Sequence, residues 1–166
     1  MNVAGKIVET LLADSGPGGL REPADPAVKT IEPLIRREAK LYSKYELPLV
    51  GAEAAGKQET PGPSRRLVDK IFDLEFLVLC RGGDRETETE RAKKIAARLE
   101  HVLREQNRAD RQFNGLPALI ENSQGALLVR IKQTTFESRF FEDGGGKNPE
   151  VAATISAEMV VPCVLL

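Results

Sequence analysis

The spacing of apolar residues predicts an α+β fold: a largely antiparallel four-stranded β-sheet with two or so helices packed on one face. Three observations carry it. Along Ile71–Cys80, Phe72, Leu74, Phe76, Val78 and Cys80 fall on one side of a period-two strand. Beyond a Gly82-Gly83 break, Ala92, Ile95, Ala96, Leu99, Val102 and Leu103 recur at three and four residues, the stripe of a helix lying on a sheet. Two long runs rich in β-branched and aromatic residues, 126–141 and 151–165, flank a Gly-rich tip and read as an antiparallel hairpin.

In chain order, Val3, Ile7, Val8, Leu11 and Leu12 have helical spacing and predict a first amphipathic helix over residues 2–13. Prolines and glycines then predict a long irregular connection over 15–33. The run 30–37 is ambiguous. Pro33 excludes a central strand position that needs a ladder N–H, so irregular or helical structure is the reading there. Tyr45–Glu53 reads as an extended segment with Leu47 and Leu49 on one side, held to a sheet edge by Pro48, followed by a polar loop at 54–66. The central strand–turn–helix comes next. Asp84 is placed to cap the helix, Thr87 and Glu90 have capping-box spacing, and Glu86, Glu88 and Glu90 suit its positive end. The polar stretch after Arg104 is read as fraying into a loop before a short apolar return at Leu116–Ile120. Residues 142–149 form the hairpin tip, and the chain 1–166 is read as a single domain.

Twenty-four basic against 25 acidic residues leave a net charge of −1, unlike the basic excess of a protein that lives on a phosphate backbone. Cys80 and Cys163 both lie in apolar strand-like runs and are read as buried thiols; neither their spacing nor histidine company suggests a metal. Lys6, Glu9 and Asp14 interrupt the apolar N-terminal stretch, so it does not read as a signal peptide, and no window is long enough to span a membrane. A soluble intracellular or assembled protein is the expectation.

The chemical motifs test poorly. Gly144-Gly-Gly-Lys147 lacks the Ser/Thr and the following helix of a phosphate loop. His101, the sole histidine, has no nucleophile motif to serve and sits where a helix dipole favours it. Asp73 and Glu75 read as a solvated strand face, and Arg36-Arg37 and Arg65-Arg66 lack the interleaved aromatics of a base-stacking surface. No catalytic, cofactor or metal site is expected, and an enzyme is not the reading.

What stands out is apolar strand surface beyond what one helix covers. Leu77 and Leu79 occupy the second strand face, and the chain closes on an apolar run through Val164 and Leu165. With Arg65, Arg66 and Lys147 as polar companions, these residues form the candidate surface for another subunit or partner. A helix over the same face, supplied by residues 2–13, is the competing account.

The order of elements resembles a known family. A first helix, the Leu47-Pro48-Leu49-Val50-Gly51 strand, a long loop, a strand ending in Arg81-Gly82, the acidic-start helix Glu86–Leu103, the Leu116 return and two closing strands resemble the tail terminator, or tail completion, proteins of long-tailed bacteriophages. The likeness spans most of the chain and rests on element order; the segment Gly16–Pro33 departs from the leanest members. It implies a virion structural protein at the tail–neck junction, made in the host cytoplasm and assembled as a ring, by expectation a hexamer. Its implied partners are further copies of itself, the tail tube protein and the head–tail connector. DNA would only pass through the channel, no membrane is involved, and no catalytic residues carry over. Another neck or minor tail protein, or a cellular α+β module binding a peptide or ligand, are the alternatives.

Overall fold

The computed structural model describes residues 2–22, 28–33, 42–43, 45–143 and 146–165. It is α+β, with a mixed five-stranded sheet in place of the expected four-stranded antiparallel one. The elements are α1 (Val3–Leu12), β1 (Thr30–Glu32), β2 (Leu49–Pro61), β3 (Leu67–Arg81), α2 (Arg85–Glu105), the short turn α3 (Gln112–Gly115) with a 3-10 turn at Leu116–Leu119, β4 (Leu128–Asp143) and β5 (Gly146–Val164). The strand order is β1-β2-β3-β5-β4. Only β1 pairs parallel, against Leu49–Gly51; all other neighbours are antiparallel.

The central unit forms as its periodicities predict. Phe72, Leu74, Phe76, Val78 and Cys80 are buried on one face of β3, and Val151, Ala153, Ile155, Ala157, Met159, Val161 and Cys163 continue that face on β5. The α2 stripe of Ala92, Ile95, Ala96, Leu99, Val102 and Leu103 packs there, and α1 adds Val3, Ile7, Val8 and Leu11. Gly82, at φ 129°, turns the chain out of β3 through a region that side chains avoid. Asp84 caps α2, accepting from the Thr87 N–H at 2.8 Å. The reciprocal bond of the cap comes from Glu88, not from the Thr87/Glu90 pair: its Oε1 accepts from the Gly83 N–H at 2.9 Å.

Three connections are more ordered than their composition suggests. The expected loop at 54–66 is instead the outer half of β2, paired with β3 from Ala54 to Pro61 across a bulge at Ala55, so only 62–66 turn. Its side chains see solvent on both faces, which leaves no apolar alternation to read, and the backbone ladder alone holds it. The connection at 15–33 ends in β1, so Thr30–Glu32 is a strand and not irregular or helical; Pro33 follows directly after it, where no ladder N–H is required. At the expected 142–149 tip, pairing runs out to Asp143 and Gly146. The remaining parts of these expectations, at 23–27, 34–37 and 144–145, lie outside the described residues.

The second sheet face is partly closed by the chain itself. Tyr42 and Leu47 pack over Leu49 and Leu79, with Leu77 and Ala152 at their margin. The Tyr42 hydroxyl donates to Glu32 Oε1 at 2.6 Å and its carbonyl accepts from Arg81 Nη2 at 2.6 Å, tying this cover to β1 and β3. Leu79 is therefore interior, 1% exposed, and the reading of it as open interface surface is corrected. The cover is supplied by residues near 42–47, not by the first helix.

Candidate functional site

The surface left open lies on the same face as Leu79 but at the opposite end of the strands. Register places Ile71, Val160 and Leu128 side by side across β3, β5 and β4, with Leu67 against Val164 two rows further on. On this face Leu128 and Val164 are each more than a third exposed, and Ile71, Leu67 and Val160 are half-buried; exposed Leu165, opposite Arg66, ends the strand on the other face. An apolar band with no covering element among the described residues is the result.

Charged residues border the band. One row inward, Lys132 Nζ bridges Asp73 at 3.3 Å and Glu158 at 3.1 Å, and Arg130 reaches Glu158 at 3.5 Å. At the outer end the β2–β3 turn presents exposed Arg65 and Arg66, and the Arg66 carbonyl accepts from the Leu165 N–H at 2.8 Å. An apolar centre with a mixed-charge rim is the usual composition of a protein-binding surface.

Of the sequence-predicted residues, the structure thus brings Arg65, Arg66, Val164 and Leu165 to one end of the sheet, with Val164 in the band and Leu165 opposite Arg66 behind it. Leu77 is half-buried beside the Tyr42 cover, on the same strand face as Leu67 but apart from that cluster, and Leu79 is beneath the cover. Lys147 belongs to the far hairpin end, where its backbone pairs with Glu142; its side chain lies outside the described residues. Sequence reasoning missed Ile71, Leu128 and Val160. Each alternates with a core residue, and only the register shows that they share a row.

A second feature is a cleft of about 190 Å³ between α1 and α2, near Asp14, Arg98, His101 and Asn114. It is smaller than the usual site for an organic ligand. Asp14 at its base accepts from Arg98 and from the Leu20 N–H at 2.8 Å. Burial pushes the Asp14 carboxyl up, but the Arg98 and Leu20 hydrogen bonds and the Arg98 charge outweigh it and hold the group below its ordinary value. His101 is exposed at the mouth.

The far wall of the cleft is a turn that composition did not foreshadow. Gln112, Phe113 and Asn114 have φ of 48°, 46° and 52°, and Gly115 has 82°, four consecutive left-handed residues. Two buried glutamines hold it. Gln106 Oε1 accepts from the Phe113 N–H at 2.9 Å; Gln112 donates to the Gln106 carbonyl at 2.9 Å and accepts from the Leu127 N–H at 2.7 Å. Asn114-Gly115 is the local signal for it, since these residue types tolerate the left-handed region best.

Among the described residues, no group of three or more His, Cys, Asp or Glu could hold a metal, and no helix is long and apolar enough to cross a membrane. No protein-family model and no curated protein matches the chain.

Proposed function

We propose that this chain is a virion structural protein of the tail terminator type, which assembles as a ring on the end of a phage tail tube, stops its growth and offers the docking surface for the head connector. The observation that carries the reading is the uncovered apolar band of Ile71, Val160 and Leu128, bordered by Arg65, Arg66, Val164 and Leu165. A surface of that composition on a chain whose candidate cleft is small and polar suits assembly better than chemistry. The order of the first helix, the β3–α2 unit and the two closing strands supports the same family, although β1 and the outer half of β2 were not part of the expected order; a hexamer is the expected ring. Contacts of this kind are heterologous, different patches of each copy meeting and closing by rotation. A net charge of −1 suits a channel that lets DNA slide without holding it.

The deciding experiment adds purified protein to polymerising cognate tail tube protein and images the product by electron microscopy. Rings at one tube end, with tubes that stop lengthening, are expected. Tubes that grow unchanged with bare ends would overturn the assignment.

A further inference from the structure

The two outer edges of the sheet are each closed at one end by this chain and, among the described residues, open over the rest. At β4, the Val129 N–H donates to Asn107 Oδ1 at 2.6 Å, its carbonyl accepts from Asn107 Nδ2 at 3.1 Å, and the Leu127 N–H donates to Gln112. The backbone groups of these residues therefore point away from β5. In an antiparallel ladder every second residue does the same. Following the partners Ala157, Ile155, Ala153 and Val151 on β5 across the bulge, the outward residues beyond Val129 are Ile131, Thr134, Phe136 and Ser138. At the other edge the Pro48 carbonyl accepts from the Lys29 N–H at 2.9 Å, and β1 covers Leu49–Gly51. The same alternation, carried past the β2 bulge by Leu74, Phe72 and Lys70, turns Ala52, Ala54, Lys57 and Glu59 outward. No strand among the described residues lies against either stretch.

We infer that copies of this chain join edge to edge, the open length of β4 in one copy pairing antiparallel with β2 from Ala52 to Glu59 in the next. A second copy fits because β2 and β4 run in opposite directions within one sheet, so a neighbour in the same orientation supplies an antiparallel partner on both sides. Charge is complementary at one end of the match, where Arg130 and Lys132 of β4 fall beside Glu59 of β2, while at the other end Glu137 meets Glu53. The open lengths also sit at different heights: β4 beside the rows of Leu74–Cys80, β2 beside those of Lys70–Phe76. Matching them displaces each copy along the strands by roughly four residues, ~13 Å at strand rise. That is the kind of stagger a sheet needs to close on itself with tilted strands. Unpaired edges are otherwise a liability that proteins cover.

This inference rests on the self-assembly in the proposed function, and its test separates the two. Phe136→Pro removes an outward N–H from β4 and Lys57→Pro one from β2, neither taking a bond from the chain's own sheet. Ser138→Pro and Glu59→Pro are the second pair, used if circular dichroism shows that either of the first has not folded. By sedimentation, the unaltered protein is expected to associate with rising concentration, each single variant to remain monomeric, and an equimolar mixture of the two to form a one-to-one dimer through the edge each retains. An unaltered protein that stays monomeric, a Lys57→Pro variant that self-associates undiminished, or a mixture that stays monomeric would overturn the pairing. Rings on tube ends that survive both blocks would do so too while leaving the tail function standing; edge-paired oligomers that ignore tube ends would do the reverse.

Discussion

Arg98 grips Asp14 with two hydrogen bonds, Nε to Oδ2 at 2.9 Å and Nη2 to Oδ1 at 2.5 Å, joining α2 to the turn that leaves α1 across 84 residues of sequence. The same carboxylate accepts from the Leu20 N–H, so one side chain anchors both the turn and the helix.

Asp14→Ala should cost about 1.5–3 kcal/mol, since a charge-assisted bond and a backbone donor lose their acceptor together. In an Asp14→Ala background, Arg98→Ala should cost much less than it does alone, a coupling that urea denaturation of the four proteins would measure. The pH dependence follows from the depressed carboxyl. The folded group ionises below its unfolded value, so the stabilisation is complete above the unfolded carboxylate range and lost as pH falls through the folded pKa. Stability of Asp14→Ala should therefore fall less on acidification than that of the unaltered protein.

Cys80 is closed to chemistry in the native state. Burial, then the Glu88 charge, push its thiol up to about 12 despite the opposing charge of Arg91. A disulfide reagent at pH 8 should leave it unmodified in buffer and react fully in urea. The raised thiol contributes stability that is complete below the unfolded pKa of about 8.5 and is lost as pH rises from there towards 12. Conversion of Cys80 to Ala should flatten that alkaline decline, while a native thiol that reacts at pH 8 would show that the β3–α2 junction opens.

The left-handed turn makes its own prediction. Open space lies where a methyl group on Gly115 would point, so Gly115→Ala meets no clash and its cost is conformational, about 1–2 kcal/mol. Gln106→Ala should cost a similar 1–3 kcal/mol or so by a different route, leaving the buried Phe113 N–H without its acceptor. Thermal melts of the two should drop comparably; a neutral Gln106→Ala would mean that water reaches the turn.

The legible parts of this fold are those where one face is core and the other is not. Phe72 to Cys80 alternate, and Ile95, Leu99 and Val102 return at helical intervals, because burial on one side imprints a period. Beyond Ala54 in β2 that imprint vanishes, since Lys57, Gln58 and Glu59 are exposed and only the backbone specifies the strand. The three residues of β1 are held by pairing to Leu49–Gly51 rather than by their own composition. The site was half legible for a related reason. Val164 and Leu165 show as an apolar run, but the row of Ile71, Val160 and Leu128 exists only through register, and the cover over Leu79 comes from Tyr42, 37 residues earlier.

Leu79 and Leu128 point to the same sheet face and should behave oppositely. Leu79 is enclosed by Tyr42, Leu47 and Leu49, so Leu79→Ser removes buried methyl groups and places a hydroxyl among apolar neighbours. A loss of about 2–5 kcal/mol is expected, enough to unfold much of the chain at moderate urea. Leu128 is 39% exposed beside Val160, so Leu128→Ser should stay within about 1 kcal/mol of the unaltered stability. Its effect belongs to association: if the band is an assembly surface, sedimentation of Leu128→Ser should show weaker self-association or tube-end binding with the melting temperature nearly unchanged. Should Leu128→Ser leave both association and tube binding intact, the band is ordinary surface and the contact lies elsewhere on the sheet.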